Sequence, residues 1–171
     1  MTEFLQSSLY LVFPVAMVAA AISDIATMTI SNRLSAALAV AFFAAAPVYG
    51  LTMAEVGAHA LAGFMVLVVG VLFFSRGWIG GGDAKIAAGA ALWLGFGPLT
   101  DFVAASALFG GGLTLLILVF RWQMLPAFAA RQDWIARLHN RSSGVPYGVA
   151  IAAGALYAFP ATPFVRLAAG G

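Results

Sequence analysis

Val56-Gly57-Ala58-His59-Ala60-Leu61-Ala62-Gly63-Phe64-Met65-Val66-Leu67-Val68-Val69-Gly70-Val71-Leu72-Phe73-Phe74 is the stretch that decides the fold. It is apolar apart from one histidine and is close to the ~20 residues that an α-helix needs to cross the hydrocarbon core of a bilayer. A run of that length implies a membrane as solvent. The rest of the chain agrees. Of 171 residues, 63% are hydrophobic and 8% charged, with a mean hydropathy of +1.02, outside the range of soluble domains.

Working outward, breaks at Gly, Pro, Asn and charged residues predict six apolar helices, at 4–22, 34–49, 56–74, 84–96, 102–120 and 147–164. The fold class expected is all-α, a polytopic membrane protein with a single domain over 1–171. The fourth run is short for a span; it either begins deeper in the membrane or extends across Gly82 and Asp83. No internal repeat is visible. An apolar run from Leu9 to Val18 followed by Ala19, Ala20 and Ala21 has the look of a secretory signal. Glu3 precedes it without any Lys or Arg, however, so it is read as a retained first helix.

Positive charge fixes the expected orientation, because Lys and Arg are retained in cytoplasmic loops. Arg33, Arg76, Lys85, Arg121, Arg131, Arg137 and Arg141 fall in or beside alternate loops, whereas Arg166, Glu3, Glu55 and Asp101 fall toward the opposite face. Both termini are therefore expected outside the cytoplasm. The longest loop, 121–143, sets Trp122, Leu125, Phe128, Ile135 and Leu138 at near-helical spacing among arginines. This predicts an amphipathic segment in contact with membrane lipid, split by Pro126. It is either a basic anchor or a lid over the site.

There is no cysteine, and the net charge is only +2. Disulfides, thiolate metal sites and a cysteine nucleophile are excluded, and nothing has the form of a nucleic-acid patch. Ionisable groups beside apolar spans are costly, which makes each a candidate for function. Asp24 closes the first apolar run with little polar company, and a helix C-terminus disfavours its charge. Asp83 follows Gly80, Gly81 and Gly82 and heads the fourth helix, where a carboxylate also serves as an N-cap. The topology puts both at one membrane face. If they meet, they share a proton, so one can activate water while the other protonates or hydrogen-bonds a carbonyl. That chemistry needs no metal or other cofactor. His59, Glu55 and Asp133 read better as structural residues.

Gly80-Gly81-Gly82-Asp83-Ala84-Lys85 resembles the Gly-x-Gly-Asp-x-Lys signature of type IV prepilin peptidases. Asp24 through Asn32 is similar to that family's first site, an Asp followed by Ile-Pro-Asn, with Ser31 in the proline's place. Pro146-Tyr147-Gly148 resembles the Pro-aromatic-Gly segment that opens the family's last helix. The resemblance implies an aspartyl endopeptidase of the bacterial inner membrane with Asp24 and Asp83 as its catalytic pair. Gly80, Gly82, Lys85, Asn32, Pro146, Tyr147 and Gly148 would support the site. The substrate implied is a prepilin, cut after a glycine at the cytoplasmic face, with the pilus-assembly machinery as a further partner. The cysteine-bearing methylating portion of larger members is absent here, so the short Flp, tight-adherence form is expected, without N-methyltransferase activity.

Presenilin-like proteases also carry Gly-x-Gly-Asp, but their Tyr-Asp and Pro-Ala-Leu elements are missing. A small proton-coupled transporter would instead predict acids at mid-membrane and an inverted repeat. A noncatalytic pilus-assembly subunit would be indifferent to loss of Asp24.

Overall fold

The computed structural model describes residues 8–168. Among them the secondary structure is entirely helical: α1 (Val12–Thr27), α2 (Asn32–Val48), α3 (Met53–Ser75), α4 (Gly81–Leu94), α5 (Leu99–Trp122), α6 (Ala127–Ala130), α7 (Asp133–His139), α8 (Tyr147–Ala158), a 3-10 turn (Phe159–Ala161) and α9 (Pro163–Ala168). α3 and α5, of 23 and 24 residues, are long and apolar enough to cross a bilayer. α1, α2 and α8 with its 3-10 turn are apolar but shorter. Six full-length spans are thus not what the helices present. The part of the first predicted span before residue 8 lies outside the described residues, as does Glu3.

Each helix ends where its sequence stops supporting it. The predicted first helix stopped at Ile22, but α1 runs on to Thr27 and encloses Asp24. It closes on Met28 in the left-handed conformation, with φ 55°, whose N–H reaches the Asp24 carbonyl at 2.8 Å. Ser31 then starts α2, its hydroxyl accepting from the Leu34 N–H at 3.2 Å. α3 opens with a reciprocal cap: Glu55 Oε2 accepts from the Thr52 N–H at 2.7 Å while Thr52 Oγ1 accepts from the Glu55 N–H at 3.3 Å. Glu55 is structural, as its position suggested. The last predicted helix is broken at Pro160, where α8 tightens into the 3-10 turn.

α4 is the axis of the bundle. Although only 14 residues long, it buries ten of them, from Asp83 to Leu94, against α2, α3 and α8. Its glycines and alanines let neighbouring backbones approach closely, as small residues do in membrane helix packing. A Cβ on Gly70 of α3 would sit 2.9 Å from that of Ala84. At the end of the bundle remote from Asp83, Phe13, Phe42, Trp93, Phe159 and Phe164 interlock, with ring centroids as close as 4.4 Å between Phe13 and Phe159. His59 belongs to this cluster. It lies 5.3 Å from Phe42, and its Nδ1 is 2.8 Å from the Leu92 carbonyl.

The 121–143 segment departs from the single split helix expected. Arg121 and Trp122 still belong to α5, and the helical remainder is two short pieces, α6 and α7, separated at Arg131 and Gln132. Trp122, Met124 and Phe128 are exposed, whereas Ile135 and Leu138 are half-buried.

Candidate active site

Three connections meet at one end of the bundle: α1 to α2, α3 to α4, and the long segment into α8. Ile30 is the bolt between them. A Cβ on Gly82 would stand 3.2 Å from Ile30 Cβ and 3.3 Å from its backbone N and O; one on Gly148 would stand 2.6 Å from Ile30 Cδ1. Only glycine leaves room for both approaches at normal packing distances. Two glycines far apart in sequence are thereby clamped on one side chain, and the acids beside them are brought together.

Asp24 and Asp83 line the same small cavity, of about 250 Å³, with Met28, Thr29, Ile30, Gly80, Gly81 and Gly82 as its other walls. Both residues are buried, at 5% and 9% exposure. Asp24 Oδ2 accepts from the Gly148 N–H at 2.7 Å. Asp83 Oδ2 accepts from the Gly80 N–H at 3.1 Å, within its own helical turn. Asp83 is therefore not the N-cap of α4 that the sequence allowed. Gly80 caps, and Asp83 occupies the third helical position, reaching back to it. Two backbone donors thus orient two carboxylates toward one cavity, a layout able to hold a water between an acid and a base.

The supporting residues divide. Gly80, Gly82 and Gly148 are in contact with the acids or with Ile30. Lys85 is turned away from Asp83 and donates to Asn32 Oδ1 at 2.8 Å, on the exposed seam between α4 and α2. Pro146 is buried beside Gly148, but Tyr147 leans along α5, its hydroxyl 3.4 Å from Thr114 Oγ1. It packs on Gly110 rather than on the carboxylates.

Two arginines not singled out from sequence organise the approach to this site. Arg121 donates to the carbonyls of Leu138, Ser143 and Gly144, at 2.8, 2.9 and 2.9 Å. It fastens the chain that leads into Gly148. Arg137 donates to the Ala26 carbonyl at 2.8 Å, tying α7 to the last turn of α1 beside Asp24. Arginine is suited to this because its fork satisfies several carbonyls at once. The signal in the sequence was arginine in a loop, which charge counting credited to topology alone. Among the described residues, no group of three or more His, Asp or Glu side chains could hold a metal ion.

The family model described as the type IV leader peptidase family matches residues 11–115, a stretch that contains both Asp24 and Asp83 and stops short of Pro146-Tyr147-Gly148. No curated protein and no solved structure matches the chain.

Proposed function

Because this chain belongs to the type IV leader peptidase family, and hence to a family of peptidases, we propose that it is an aspartyl endopeptidase that removes the short leader of Flp-type prepilins. The observation that carries the catalytic assignment is the shared cavity of Asp24 and Asp83. In the proposed reaction one carboxylate takes a proton from water as the water attacks the scissile carbonyl carbon. The other hydrogen-bonds the carbonyl oxygen, and the tetrahedral species collapses as the leaving amine is protonated. No covalent intermediate and no cofactor are needed, and no N-methyltransferase activity accompanies the cleavage.

The reading places the protein in the bacterial inner membrane with the end bearing Asp24 and Asp83 at the cytoplasmic face. Arg33, Arg76, Arg121, Arg131, Arg137 and Arg141 fall in or beside the connections at that end, which supports this orientation. The apolar exposed faces of α3 and α5 would then contact lipid. A transporter fits less well, because the two acids occupy one end of the bundle rather than its middle.

Co-expression with a Flp-type prepilin, with leader removal followed by gel shift, tests the reading. Wild type should process the substrate, and Asp24→Asn and Asp83→Asn should abolish processing while the protein still inserts. Full processing by either variant would remove that residue from the mechanism.

A further inference from the structure

The turn between α1 and α2 supplies Met28, Thr29 and Ile30 to the carboxylate cavity, and Gly80, Gly81, Gly82 and Asp83 at the head of α4 supply the rest of its lining apart from Asp24. The spacing of the two acids therefore depends on how this turn is held to each helix. On the α1 side hydroxyls hold it: Ser23 Oγ donates to the Thr29 carbonyl at 2.8 Å, and Thr27 Oγ1 lies 2.7 Å from Thr29 Oγ1. On the α4 side Ile30 packs on Gly82, but apolar contact is non-directional and fixes no angle. The directional link is Lys85 Nζ, which donates to Asn32 Oδ1 at 2.8 Å across 53 positions. Asn32 opens α2 two residues beyond Ile30, and Lys85 lies on α4 two residues beyond Asp83. Near the other end of α4, Trp93 Nε1 donates to the Leu38 carbonyl at 2.9 Å, so α2 is pinned to α4 both at the site and remote from it.

Given the peptidase function proposed above, we propose that Lys85 is a positioning residue: through Asn32 it fixes the α1–α2 turn on α4 and so sets the distance between Asp24 and Asp83. An exposed lysine at a membrane face is satisfied by water or headgroups. This one reaches instead to a neutral amide on the neighbouring helix, and a charged donor makes that bond shorter and stronger than one between neutral groups. Lysine suits the task because one acceptor has to be met across a seam, which a compact ammonium on a long stem can do. A lysine that read the leader would act on substrate affinity, and one that tuned the acids by its charge would act without Asn32. Asn32 takes part in only one of the three roles.

Kinetics of leader removal by the purified, folded protein test this. Lys85→Met and Asn32→Leu should each lower kcat about tenfold, since small displacements of catalytic groups are costly, with KM within about twofold of wild type. The double variant should be no slower than either single one, because each change removes the same bond. Asn32→Asp keeps an acceptor for the ammonium and suits a helix N-terminus, so its kcat should stay within about threefold of wild type.

A raised KM in Lys85→Met with normal kinetics in Asn32→Leu overturns the proposal and gives Lys85 to substrate binding. A loss of kcat in Lys85→Met that Asn32→Leu does not share, or losses that multiply in the double variant, also overturns it. Should Lys85→Met fail to insert, the Asn32 pair decides: a low kcat in Asn32→Leu restored in Asn32→Asp supports the tie, and equal values overturn it. A wild-type chain that leaves the leader in place overturns the proposed function itself. Wild-type processing with unaltered kcat in both single variants overturns the Lys85 tie alone.

Discussion

The Gly148 amide donates a 2.7 Å hydrogen bond to Asp24 Oδ2 across 124 positions of sequence. This contact holds the first acid to the last major helix. It exists because Gly148 has no side chain: a Cβ there would lie 2.8 Å from the same oxygen and 2.6 Å from Ile30 Cδ1.

Gly148→Ala should therefore lower kcat for leader removal by about tenfold or more, since small displacements of catalytic groups are costly. Adding Ile30→Val removes Cδ1 and should restore part of the loss, because contacting residues couple. Gly144→Ala, whose Cβ meets nothing within 4 Å, should be silent. Steady-state kinetics on the three variants checks this; a fully active Gly148→Ala would mean the hydrogen bond has no role.

Ser31 stands where the resembled motif has proline, and its φ of −69° is one that proline adopts. Ser31→Pro should keep wild-type cleavage, the lost hydroxyl cap being offset by reduced freedom of the unfolded chain. Ser31→Ala loses the cap without that gain and should cost about 1 kcal/mol. Thermal unfolding in detergent, paired with the gel-shift assay, separates the two.

Arg121 binds three carbonyls of the segment that leads to Gly148. Arg121→Gln should reduce kcat several-fold with little change in KM, and Arg121→Lys should recover only part, because an ammonium lacks the planar fork. An effect confined to expression level, with normal kcat in the purified variant, would show that the clamp serves folding alone.

His59 binds the Leu92 carbonyl within the aromatic cluster, far from the acids. His59→Leu should lower stability by about 1–3 kcal/mol by leaving that buried carbonyl unpaired. Its cleavage rate at a permissive temperature should stay within about twofold of wild type, since no reacting group is touched. A selective loss of kcat would instead place His59 in the mechanism.

Much of this architecture was legible in order of residues alone. Run length and composition are local quantities, so they identified the apolar helices and the alternation that brings Asp24 and Asp83 to one end, but not the start of α3, which the Thr52–Glu55 cap sets at Met53 rather than at 56. The three glycines before Asp83 stand out in the sequence. What they approach was not legible, because Ile30 is an ordinary apolar residue in sequence and becomes the bolt only when Gly82 and Gly148 close on it. The extension of α1 through Asp24 was missed for a related reason. Its end is set by Met28 entering the left-handed region, which apolar periodicity does not report. Charge counting likewise registered Arg121 and Arg137 as markers of a membrane face. Their carbonyl partners lie far along the chain, at Leu138, Ser143, Gly144 and Ala26. Pairing at such separation depends on how helices pack side by side, and packing depends on the shapes of residues that sequence does not place next to one another.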